Sequence, residues 1–168
     1  RQQLADGKID AAITLEFDIR EMPGVVWKVF EEDSAVFAVS RSLRLARQET
    51  IRIEDVLQET IIAISPQDSR TGHDKLMNYL KKQGGPRQRV LCAPNFSTLT
   101  LWVEAGLGVG IMNNSSSLAN NAAVRLIPEI PLDDANNCVV WRQNSTNPAV
   151  DLFVEMLDSW FPMEQEQQ

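Results

Sequence analysis

The sequence predicts an α/β fold, a sheet with helices on both faces. Two observations carry that prediction. Apolar runs of strand length alternate with segments of helical spacing, and the connections between them are short. The chain also closes on its clearest amphipathic segment, in which Ala149, Leu152, Phe153, Met156, Leu157 and Trp160 recur at helical intervals behind an Asn147 N-cap and an N1 Pro148. With 168 residues, 43% of them hydrophobic, there is enough apolar material for a sizeable core.

The elements follow in order. RQQLADG reads as the last turn or two of a helix with Gly7 at its C′ position, so the chain is expected to begin inside a helix. KIDAAITL is a short apolar strand. VVWKVFEE and SAVFAVSR are rich in Val, Phe and Trp and read as neighbouring strands joined by the acidic turn Glu31-Glu32-Asp33. RIEDVLQE is a short helix, and TIIAIS is a fully apolar strand stopped by Pro66. From Thr71 the spacing of Leu76, Met77 and Leu80 is helical, with Thr71 and Asp74 as the expected capping pair and Gly84-Gly85 as the stop. QRVLCA is a strand broken by Pro94-Asn95, after which Leu99, Trp102 and Val103 line one face of a helix. VGIMN, AVRLIPE and NNCVVWRQ are strands, with SSSLAN between the first two as a surface helix or loop.

The segment LWVEAGLGVGIMNN places Gly106, Gly108 and Gly110 at alternate positions. A phosphate-binding loop runs from a strand into a helix, whose free amides then face the anion. Here the glycines follow a helix and precede a strand. Gly106 is therefore read as a helix cap and Gly108 as a tight-turn or close-packing position.

Charge and composition exclude several functions. A net charge of −7 is the wrong sign for a nucleic-acid surface, which needs clustered Lys and Arg. No apolar run approaches the roughly 20 residues of a membrane span, and the first residues do not form a signal peptide. The two cysteines, Cys92 and Cys138, lie in apolar runs without metal-site spacing and are read as buried free thiols of a cytoplasmic protein. His73 is the only histidine and is expected at the surface near a helix start. The carboxylate pairs Asp133-Asp134 and Glu31-Glu32-Asp33 are read as solvated turns. No catalytic constellation, metal site or cofactor is expected.

Four segments, in order, resemble the effector-binding domain of LysR-type transcriptional regulators: LADGKIDAAITL, EEDSAVFAVSRSLRLA, IEDVLQETIIAIS and STLTLWVEAGLGVGIMNN. Leu4, Gly7, Ile9 and Asp10 match the family's pattern ahead of its strand, and Val103, Gly106, Gly108, Gly110 and Ile111 match its glycine segment. Where the family usually has a proline after that segment, this chain has Asn113.

The resemblance implies a two-lobe, periplasmic-binding-protein-like (type II) fold with doubly wound sheets and an incomplete first lobe. Residues 1–57 and 144–168 would form lobe one and residues 58–143 lobe two. It also implies a small, anionic organic effector held in a cleft between the lobes, homo-oligomer formation, and DNA binding only through a winged helix-turn-helix that these residues do not contain. The candidate effector-binding residues are Thr14, Leu15, Ser65, Pro66, Asn95, Phe96, Ser97 and Asn113, each at or just past the end of a strand. Hydroxyls and free amides at a helix start suit a carboxylate. The plain structural roles stand beside these: Asn95 and Ser97 as helix caps, Ser65 as a strand end, Phe96 as core. A solute-binding protein of an uptake system is the alternative function on the same fold.

Overall fold

A computed structural model describes residues 2–20, 22–85, 89–114, 116–130 and 135–161. The chain divides into two compact units, residues 1–33 with 134–168, and residues 34–133. The expected boundaries therefore move. Residues 34–57 join the second unit and residues 134–143 the first, because strand pairing rather than sequence proximity decides membership.

The first unit is built on a three-stranded antiparallel sheet. Its strands are β1 (Ala11–Leu15), β2 (Val25–Glu31) and β8 (Asn137–Arg142), with β8 in the centre. Helix α1 (Gln2–Ala5) supplies Leu4, which packs with Ile19, Cys138 and Val140. The alternate residue of β8, Val139, packs with Phe30 and with Leu157 of α5 (Pro148–Trp160). Period-two alternation along one central strand thus places a helix on each face. Buried Glu16 is not left as a lone charge: Arg20 holds one carboxylate oxygen at 2.8 Å and Asn136 the other at 2.9 Å.

The stripe of α5 that meets the sheet is Val150, Phe153, Val154 and Leu157. The expected face is therefore rotated, and Leu152 and Trp160 are 66% and 65% exposed. A helix with apolar residues on more than one face leaves the choice of buried stripe to its neighbours.

The second unit contains a mixed five-stranded sheet of order β5-β4-β6-β3-β7: β3 (Ala35–Ser40), β4 (Ile61–Ile64), β5 (Val90–Ala93), β6 (Val109–Asn113) and β7 (Val124–Ile130). β4 runs parallel to β5 and β6, whereas β3 is antiparallel to β6 and β7. Helix α2 (Ile53–Val56) precedes β4, α3 (Arg70–Lys82) joins β4 to β5, and α4 (Phe96–Glu104) joins β5 to β6. The first of these crossovers moves one way along the sheet and the second moves back past β4, so right-handed connections put α3 and α4 on opposite faces. Leu99 and Val103 of α4 accordingly pack with Val36, Ala38, Ile62 and Met112. All six residues of β3 are buried, as expected of a strand covered on both sides.

The expected β2–β3 pairing does not occur. β2 pairs with β8 in one sheet and β3 with β6 and β7 in the other, so Glu32 to Ser34 carry the chain between units instead of closing a hairpin. The glycine readings stand. Gly106, at φ +73°, follows the end of α4, and a Cβ on Gly108 would lie 2.3 Å from the Thr60 carbonyl oxygen.

Candidate functional site

Three parallel strands of the second unit, β4, β5 and β6, end on the same sheet edge. The loops leaving β4 and β5 turn to opposite faces, which opens a crevice at the carboxyl ends of those two neighbours. Six of the predicted residues occupy this edge: Ser65 and Pro66 just past β4, Asn95, Phe96 and Ser97 just past β5, and Asn113 closing β6. Thr14 and Leu15 lie in the other unit, in the last two positions of β1 and opposite Cys138 and Asn137.

The six do not share one role. Ser65 is buried, and its hydroxyl contacts the Gln67 side-chain carbonyl and accepts from the Gln67 amide at 3.1 Å. Its carbonyl accepts from Asp68 and Ser69 at 3.0 and 3.1 Å, so Ser65 organises the turn into α3. Asn95 caps α4, its side-chain oxygen accepting from the Thr98 amide at 2.9 Å. Ser97 is exposed, and its hydroxyl has no hydrogen-bond partner among the described residues. Phe96 is 40% exposed rather than core, because the first turn of α4 projects beyond the sheet end. Pro66 is exposed, and half-buried Asn113 pairs with Ala35 in the β-ladder.

The free groups at this edge define its chemistry. The first-turn amides of a helix have no intrahelical acceptors; in α4 that of Thr98 is taken by Asn95, and those of Phe96 and Ser97 stand beside the Ser97 hydroxyl and the Phe96 ring. That combination can hold an anionic oxygen and shelter an apolar body. Arg70, the first residue of α3, has a side chain that is 84% exposed and lies 3.7 Å from Asp74.

Three residues at this edge escape sequence reasoning. α3 is capped by Ser69, which accepts from Gly72 at 3.2 Å, so the Thr71–Asp74 box is not the helix start. His73 is half-buried rather than a free surface group, and its Nδ1 lies 2.8 Å from the Ile64 carbonyl oxygen, tying α3 to the end of β4. Ser116, whose amide donates to the Asn113 carbonyl at 3.0 Å, carries a buried hydroxyl without a partner among the described residues. Ser69 had a legible signal, a serine one residue ahead of a helical run. The contact of His73 runs from α3 back to the end of β4, and that of Ser116 closes a local turn on Asn113, neither of which residue type alone announces.

The cysteines also separate. Cys138 is buried, whereas Cys92 is exposed on β5, an edge strand on which only the alternate residue Ala93 turns inward. Among the described residues no cluster of three or more His, Cys, Asp or Glu could hold a metal ion, and no helix is long and apolar enough to cross a membrane.

Two α/β units linked by two chain crossings, with strand ends and helix starts forming a polar edge, define a periplasmic-binding-protein-like type II sensing domain. The chain belongs to the LysR substrate binding domain family, whose model matches residues 1–162. It is thus the effector-binding domain of a LysR-type transcriptional regulator, not a solute-binding protein of an uptake system.

Solved structures agree in fold at low identity. The effector-binding domain of BenM with its effector benzoate is 17% identical, with a TM-score of 0.69 over 99% of this chain and 76% of that one. The effector-binding domain of QuiR in complex with shikimate is 20% identical, with a TM-score of 0.74 over 96% and 76%. HinK, a LysR family transcriptional regulator from Pseudomonas aeruginosa, is 15% identical, with a TM-score of 0.73 over 95% of this chain and 55% of that one. By sequence, no curated protein matches the chain.

Proposed function

We propose that this domain senses a small organic acid at the carboxyl ends of β4, β5 and β6, for a cytoplasmic regulator whose DNA contacts lie outside these residues, and that it catalyses no reaction. The observation that carries the reading is the start of α4. There a Ser97 hydroxyl with no partner among the described residues, the Phe96 and Ser97 amides and an exposed Phe96 ring come together at the end of a parallel strand. The amides and hydroxyl take the carboxylate, and Phe96 lies along the apolar body. Ser65 and Asn95 keep the edge in shape by holding the turn and the cap, and Pro66 and Asn113 bound it. Neutral donors to a carboxylate are worth about 1.5–3 kcal/mol each, so several together support a selective site of moderate affinity.

Changing Ser97 to Ala is expected to weaken binding of the responsive acid by roughly tenfold, the factor given by about 1.4 kcal/mol. The melting temperature should be unchanged, because Asn95 rather than Ser97 caps the helix. Calorimetry with benzoate and shikimate as the first acids tried makes the comparison, and equal affinity of the two forms would remove Ser97 from the site.

Self-association is the second part of the proposal. Among the described residues the outer side of β1 pairs with no strand, and Ile13 on it is 55% exposed. Open sheet edges bearing apolar side chains invite pairing with another chain. Sedimentation of the 168-residue chain is expected to show dimers or larger species, and a monomer at all concentrations would contradict this.

A further inference from the structure

The second unit carries another concave surface. Tyr79 lies ten residues beyond the Ser69 cap of α3, about 15 Å along the helix from the edge described above. Beside it a groove of about 260 Å³ is floored by Phe37 and Ile127, paired residues of β3 and β7, and walled by Thr50, Ile53 and Val56.

That wall is held in place. The Arg125 guanidinium donates to the carbonyls of Ala46, Gln48 and Glu49 at 3.0, 2.6 and 3.3 Å, fixing the segment that leads into the groove. The Asp55 carboxylate accepts from the Arg52 amide at 3.0 Å and sets the start of α2. The groove therefore exists before anything enters it.

Three features specify what fits. The volume lies just under the range of about 300–1,000 Å³ usual for drug-sized ligands, which suits a single ring. The floor is apolar, whereas Thr50, Arg52, Glu54 and Tyr79 bring polar groups to the wall, and of these the Tyr79 hydroxyl has no hydrogen-bond partner among the described residues. A partly desolvated donor of that kind gains from a ligand's acceptor. At the rim Arg52 and Glu54 are both exposed and opposite in sign, so neither a cation nor an anion is favoured.

We propose that this groove is a second binding site, for a small uncharged ring compound bearing one hydrogen-bond acceptor, a ketone, ether or phenol. The acceptor takes the Tyr79 proton and the ring lies over Phe37 and Ile127. Burial already lifts the Tyr79 phenol above its ordinary value of 10.0, and a bound acceptor stabilises the neutral phenol further.

Acetophenone is the probe, with toluene as its counterpart lacking an acceptor. Titration into the 168-residue protein, followed by calorimetry and ligand-observed NMR, is expected to show saturable binding of acetophenone. Tyr79→Phe should weaken acetophenone about fivefold, the effect of one hydrogen bond, and leave toluene unchanged. Thr50→Trp, which fills the groove from an exposed position, should abolish binding of both, while Ser97→Ala leaves both intact. Tyr79 is the only tyrosine, so its tyrosinate absorbance should move to higher pH when acetophenone binds. Absence of saturable binding, equal losses for both probes in Tyr79→Phe, retention in Thr50→Trp or an unmoved tyrosinate titration would each overturn the site.

Discussion

Iodoacetamide at neutral pH is expected to alkylate Cys92 in the native protein and leave Cys138 untouched on the same timescale. The thiolate is the reactive form. Burial, aided by the nearby Glu16 and Asp18 carboxylates, raises Cys138 from an ordinary 9.0 to about 12, and three pH units lower its thiolate population about a thousandfold. Its Sγ also donates to the Thr14 carbonyl at 3.3 Å inside the first unit's core. Cys92 is exposed. Mass spectrometry should find one modified thiol in the native protein and two after denaturation, whereas equal native rates would mean that the first unit opens readily around β8.

The same shift sets an alkaline limit. A thiol whose folded value is raised contributes stability that is fully present below 9.0 and is lost as pH rises toward about 12, because the unfolded chain releases its proton first. The raised Tyr79 phenol acts in the same direction above 10.0.

Gly108→Ala is expected to cost about 3 kcal/mol and to lower the melting temperature by roughly 6–12 °C. The added Cβ would stand 2.3 Å from the Thr60 carbonyl oxygen, which also accepts the Val109 amide at 2.8 Å as β6 joins β4. Backbone at that point cannot retreat without breaking the strand pairing. Gly24→Ala is the control: its φ is +72° but nothing lies within 4 Å, so only the backbone conformation is strained, at about 1–2 kcal/mol. Thermal melts of the two variants compare directly, and a smaller loss for Gly108→Ala than for Gly24→Ala would mean that β6 can shift away from Thr60.

Features encoded by local physics were legible without the fold. Gly7 and Gly106 end helices because only a residue without a Cβ takes φ near +71° and +73° at no cost, and both were readable from their place after a helical run. The Asn147-Pro148 start of α5 and the Asn95 start of α4 were legible for the same reason, since a cap is a contract between residues two or three apart. The order of strands and helices, the family's glycine segment and the polar strand ends at Ser65, Asn95 and Ser97 needed nothing more.

Tertiary structure alone decided which strands pair, which helical stripe is buried and which polar groups are left free. β2 and β3 look like a hairpin because each has strand composition and a short acidic link, but β-ladder energy comes from cross-strand neighbours, and those are β8 for one and β6 with β7 for the other. Leu152 and Trp160 are as apolar as Phe153 and Leu157, yet only the latter pair meets the sheet. Cys92 and Cys138 sit in equally apolar runs, and the edge position of β5 against the central position of β8 leaves one exposed and the other buried. At the candidate site, sequence supplied a set of hydroxyls and amides without saying which were already engaged. Ser65 is held by Gln67 and Asn95 by Thr98, while Ser97 has no partner among the described residues. A residue's type is fixed by the sequence, but its free valence for a ligand is what remains after the fold has satisfied its neighbours.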